Sequence, residues 1–179
     1  MAANYPAVEN WLIAEGIFRW TLDGVQPIGQ SGREAGAFWL GRREATAHVY
    51  SVVLPHGVGV EEHHGRWAVS PEVFGAITRW AKPRKLCLLA VAHTHVRGVP
   101  PVLSWTGRNL GVRAPGMLAA VIGNGGDDSD HLKWGWYVFE NDDYRLLSGR
   151  DIGERIRIDP TGECEAWTAD ANGVQALVK

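Results

Sequence analysis

An α/β domain built on a mixed sheet sandwiched by helices is the fold class this sequence predicts, and three observations predict it. Two continuous apolar runs, 86–92 and 117–122, have the length and composition of strands covered on both faces. One well-marked helix begins at Ser70-Pro71-Glu72 and lies between strand-like stretches. The order along the chain is strands, helix, strand, loop, strand and then a meander, the sequence of elements found when helices pack on a mixed sheet.

The elements follow in order. Residues 9–22 mix Trp11, Leu12, Phe18 and Trp20 with polar positions, a pattern open to a short helix or a leading strand. Residues 29–36, with glycine at both ends, read as a loop. Residues 37–40 and 45–54 read as strands hinged at Gly41-Arg42-Arg43, the second rich in β-branched and aromatic side chains. Residues 55–65 are expected to form an exposed loop with Glu61, Glu62, His63 and His64 at a solvated tip, and His48 and His56 read as surface or edge residues.

At Ser70 the helix start has a mechanism: a serine cap, a proline at the first helical position and an acid near the positive end of the dipole. Val73, Ile77, Trp80 and Ala81 follow at helical spacing, and Pro83 ends the segment. Residues 132–140 and 144–147 read as a hairpin, 152–158 as one more strand, and the tail after Pro160 is weakly patterned. Nothing in composition divides the chain, so residues 1–179 are expected to be one domain with its motifs in about 30–150.

Apolar residues make up 45% of the chain and nine residues are tryptophan, which excludes a disordered segment. A net charge of −2 leaves no electrostatic footprint for nucleic acid. No apolar run approaches the roughly 20 residues of a membrane span, and Met1–Val8 lacks the pattern of a signal peptide. The expectation is a cytoplasmic protein whose Cys87 and Cys164 stay unpaired.

The chemistry concentrates at His93-Thr94-His95. Two imidazoles at i and i+2 project to one side of an extended segment, where they can share one metal ion. They also stand where a buried strand gives way to a Gly/Pro-rich loop, the place where sheet proteins put their sites. Taken alone, the same pair could simply mark a strand's exit into solvent. Asp127, Asp128 and Asp130 lack the spacing of a calcium loop, and Gly123–Gly126 lacks the GK[ST] of a phosphate loop. No PCxxC pair of the kind a zinc deaminase needs is present.

Glu34 opens a segment that ends in Leu40-Gly41, His93-Thr94-His95 follows, and Ser104 lies nine residues past His95. Together these resemble the JAB/MPN family of zinc metalloproteases, the JAMM isopeptidases, in the form of a compact bacterial standalone domain. The resemblance implies the JAB/MPN fold, which is related to the cytidine-deaminase fold. It implies zinc held by His93 and His95, Glu34 as general base and proton carrier, and Ser104 as a hydrogen-bond donor to the oxyanion. In that chemistry zinc lowers the pKa of its water to about 7.

The implied activity is that of a deubiquitinase-type isopeptidase or peptidase cleaving after the C-terminus of a ubiquitin-like protein. Trp105, beside Ser104, could wall a groove for such a tail. The family's aspartate ligand, three residues beyond the serine, is Gly107 here, and the proline after HxH is Val96. Asp127, Asp128, Asp130 and His131 are the candidates to complete the zinc shell. The alternative is a catalytically impaired JAB-like pseudoenzyme that binds a ubiquitin-like protein or scaffolds a partner.

Overall fold

The computed structural model describes residues 7–177; the reading of the chain start as free of a signal peptide falls largely on residues 1–6, outside them. The ambiguous stretch 9–22 contains both alternatives: strand β1 (Asn10–Ala14) is followed at once by helix α1 (Gly16–Gln30). The helix continues through Pro27 into the expected loop because Ile17, Phe18, Thr21, Val25 and Gly29 keep one buried stripe. Strands β2 (Gly36–Arg42) and β3 (Thr46–Pro55) lie where expected.

The expected loop 55–65 is corrected. It contains β4 (Val60–His63), paired antiparallel with β5 (Arg66–Val69) around Gly65 at φ +72°. Its inward-facing residue is a carboxylate, Glu62, so the apolar alternation that would announce a strand is missing. Helix α2 (Pro71–Ala81) begins as its sequence requires, with Ser70 Oγ accepting from the Val73 amide, and β6 (Cys87–Thr94) follows.

Next come the short α3 (Trp105–Leu110), β7 (Leu118–Ile122) and the hairpin of β8 (Gly135–Glu140) and β9 (Asp143–Leu146). The single strand expected over 152–158 is a helix, α4 (Gly149–Arg155), running into β10 (Ile156–Asp159). A capping box between Ser148 and Asp151 starts that helix. The tail is a hairpin of β11 (Glu165–Asp170) and β12 (Gly173–Ala176).

The sheet is mixed, in the order β10-β1-β3-β2-β6-β7-β8-β9, with β11 joining β3 beyond the end of β1. Helix α1 covers one face, over Trp11, Ile13, Trp39, Leu89 and Trp136. Trp39 donates to Thr21 Oγ1 at 2.9 Å, so the indole N–H is satisfied where it is buried. Helix α2 covers part of the other face through Val73 and Ile77 on Phe38, Leu40 and Val53. A third cluster of Leu103, Met117, Val121 and Tyr137 lies behind α3. Among the described residues no helix is long and apolar enough to cross a membrane, and both cysteines are free thiols.

Alternation along β6 positions the site. Leu89 and Ala92 enter the core under α1, while Leu88 and Val91 turn toward α2. His93 follows Ala92 and therefore shares the α2 face with Val91.

Candidate functional site

The backbone brings Glu34 to the histidines by strand register. β2 and β6 pair antiparallel with Gly36 opposite His93. One step further, Ala35 and Thr94 exchange two bonds: the Thr94 amide donates to the Ala35 carbonyl at 2.8 Å, and the Ala35 amide donates to Thr94 Oγ1 at 3.0 Å. Another step sets Glu34 beside His95, on the same face of the pair. The Glu34 amide donates to the His63 carbonyl at 2.9 Å, so the β4–β5 hairpin holds the segment from its other side.

Gly36 is a steric necessity at this crossing. A Cβ there would stand 2.7 Å from the Ala92 carbonyl oxygen and 2.7 Å from the Trp67 ring. Beneath the hairpin, Glu62 is 9% exposed and receives His56 Nδ1 at 2.9 Å and the Arg33 guanidinium at 3.7 Å. The acidic tip expected to be solvated is thus partly a buried ionic brace next to Glu34.

His95 is fixed on both sides of its backbone. Its amide donates to the Ile122 carbonyl at 2.8 Å, and its carbonyl accepts from Gly125 at 2.7 Å. Its ring Nδ1 lies 2.8 Å from the Pro100 carbonyl. A carbonyl can only accept, so Nδ1 carries a proton, and whenever the ring is neutral the lone pair is on Nε2. This is the tautomer a metal ligand needs, with its other nitrogen anchored.

The His93 ring centroid is 5.2 Å from that of His95, at 59°. Burial, reinforced by the neighbouring His95, pushes the His93 pKa down to about 3, so the ring is neutral across the physiological range. Burial raises the Glu34 carboxyl above the ordinary carboxylate range, with the His95 and His64 charges pulling in the opposite direction. A carboxylate kept 8% exposed against this desolvation is a marker of functional sites.

The other expected residues are placed differently. Ser104 is the exposed N-cap of α3, its Oγ accepting from the Gly107 amide at 3.1 Å, and among the described residues it makes no hydrogen bond to Glu34, His93 or His95. Gly107 stands in the first turn of α3, where an added Cβ would meet Leu103 Cδ1 at 2.7 Å.

The four candidates for a replacement ligand are engaged elsewhere. Asp127 accepts from Gln30 at 3.0 Å and Arg97 at 2.8 Å. Asp128 faces Lys133, Asp130 caps the turn at Leu132, and His131 stacks 4.7 Å from Phe18 on the α1 side of the sheet. Among the described residues no group of three or more His, Cys, Asp or Glu side chains is placed to hold a metal ion.

A catalytic zinc takes three protein ligands and keeps one open position. Two imidazoles do not meet that requirement, so the donor set does not fit catalytic zinc. What the arrangement does offer is a buried acid beside an anchored imidazole donor and a neutral imidazole. Sequence reasoning misses Thr94, whose hydroxyl locks the acid-bearing segment to the histidines, and Pro100, which sets the His95 tautomer. The hydroxyl on the inward side of an otherwise apolar strand was the available signal for Thr94.

No family model matches the chain, and no curated protein matches it. Among solved structures it is similar to the solution structure of protein DSY2949 from Desulfitobacterium hafniense, with a TM-score of 0.59 and 13% sequence identity. The match covers 84% of this chain and 93% of that one. At that identity the likeness concerns the fold alone.

Proposed function

We propose that this chain is a JAB/MPN-like domain that receives the C-terminal tail of a ubiquitin-like protein beside Glu34, His93 and His95 and does not cleave it by zinc chemistry. The observation that carries this reading is the pairing of a retained site with an unfilled ligand set. Glu34, His93 and His95 are locked together by the Ala35–Thr94 exchange, while glycine stands at position 107 and Asp127–His131 are committed elsewhere. The loop between His95 and α3, with the first residue of that helix, adds a receiving surface: Val99 is 40%, Val102 54% and Trp105 72% exposed. Exposed apolar groups on one short stretch of chain are characteristic of a surface that meets a partner.

A second reading has its own support. The Pro100 carbonyl keeps a proton on His95 Nδ1, which leaves Nε2 as the metal-facing nitrogen of the neutral ring, and His93 is neutral, features a zinc-dependent isopeptidase would require of both residues. One experiment separates the two. The full chain is titrated calorimetrically with a ubiquitin-like protein carrying its tail and with the same protein lacking it, and a linear fusion is offered for cleavage with added zinc. Tail-dependent binding without zinc-dependent cleavage is the expected result. Cleavage that zinc restores and Glu34→Gln abolishes would establish the second reading instead, and binding indifferent to the tail would refute the first.

A further inference from the structure

At the opposite end of β6 from the histidines lies an apolar groove of about 570 Å³, within the usual size range of small-ligand sites. Phe38, Leu40 and Leu88 form its floor, Phe74 and Ile77 of α2 one wall, and Met117 part of the other. Among the described residues its lining includes the cations Arg43, Lys82 and Lys85 and no acidic residue, and Thr78 is its one hydroxyl.

The charge is segregated. From 73 to 86 the chain has Arg79, Lys82, Arg84 and Lys85 and no Asp or Glu, although its net charge is −2. Lys82 and Lys85 are exposed and, among the described residues, form no ion pair. Arg43 donates to the Pro115 carbonyl, tying the β2–β3 turn to the segment that closes the groove.

We infer that this groove binds a single-chain carboxylate amphiphile of the fatty-acid type, its chain on Phe38, Leu40 and Leu88 and its carboxylate at Lys82 and Lys85. The scarcity of uncharged polar groups argues against a polar ligand, which needs fixed hydrogen-bond partners inside its site. The two ammonium groups at the mouth supply the complementary charge while staying hydrated, as exposed lysines do. This inference is independent of the reading of the histidine site, because the groove touches none of its residues.

The test is a series of amide-resolved NMR titrations of the full chain with dodecanoate below its micelle concentration and with dodecanol. Saturable shifts confined to residues around the groove are expected, with dodecanol about 5–10-fold weaker. The double variant Lys82→Glu/Lys85→Glu, both positions being exposed, should lose a similar factor for dodecanoate and nothing for dodecanol. The inference fails if dodecanoate gives no saturable shifts, if the alcohol binds as tightly as the acid, or if the shifts cluster at the histidine end of β6.

Discussion

Thr94→Val is the substitution that probes the lock between the acid and the histidines. It keeps the side chain's shape and removes one hydroxyl. That hydroxyl accepts from the Ala35 amide at 3.0 Å in a site where Thr94 is 0% and Ala35 2% exposed. Water cannot replace it, so the amide is left buried without a partner, a loss of about 1–3 kcal/mol. For a chain of this length, each kcal/mol shifts the melting temperature by about 2–4 °C, so a fall of about 2–12 °C is expected.

Thr94→Ser is the control. It keeps the acceptor and loses one methyl group, about 0.8 kcal/mol of burial. Thermal and urea unfolding measure the difference, and amide hydrogen exchange at Ala35 localises it. Protection of that amide should collapse in Thr94→Val and survive in Thr94→Ser. Unchanged stability in the valine variant, with Ala35 still protected, would refute the claim that this hydroxyl joins the two segments.

Three further outcomes follow from the same geometry. Gly107→Asp supplies the missing carboxylate at the first turn of α3, at the expense of a shift of the Leu103 tip, and should tighten zinc binding by about 10–100-fold or more in a chelator competition; no gain would show that position 107 does not face the imidazoles. Because burial raises the Glu34 pKa, folding favours its protonated form, a contribution present at low pH and lost as pH rises through the folded value. Glu34→Gln should therefore unfold at higher urea than wild type at pH 7 and at about the same urea at pH 4, and a destabilised variant at pH 7 contradicts this. His93 has the opposite dependence. With its pKa at about 3, the folded state refuses a proton that the unfolded chain accepts, so stability falls as pH drops from about 6.5 toward 3, by at most about 1.4 kcal/mol per pH unit. His93→Gln should flatten that slope, and an unchanged slope would place the loss in other groups.

Where one physical signal dominated, the fold was legible in the chain. Ser70, Pro71 and Pro83 fixed both ends of α2, and the runs at 86–92 and 117–122 became the central β6 and β7. Illegible elements had mixed signals. Residues 9–22 hold a strand and a helix joined through the single residue Glu15, and residues 152–158 a helix and a strand, so a single window averages two periods. The β4–β5 hairpin was hidden by Glu62, whose inward position depends on His56 and Arg33, partners that only the folded chain brings together.

At the site, the two histidines were visible from their spacing and Glu34 from its place in the resemblance. What no spacing conveys is the register that sets Gly36 opposite His93, or the carbonyl of Pro100 that fixes a tautomer. The candidates at 127–131 are engaged elsewhere for a long-range reason: α1 presents Gln26 and Gln30 to Asp127 and Phe18 to His131, partners that only the folded chain brings to that loop.

Two imidazoles and a buried acid are assembled here with, among the described residues, no third ligand for a catalytic metal. The zinc content of the protein after equilibration with zinc and dialysis against a mild chelator, measured by elemental analysis, tests that arrangement. Well under one zinc per chain is the result expected of wild type, with near-stoichiometric metal in Gly107→Asp. One firmly held zinc per wild-type chain, lost on replacing His93 or His95, would contradict it.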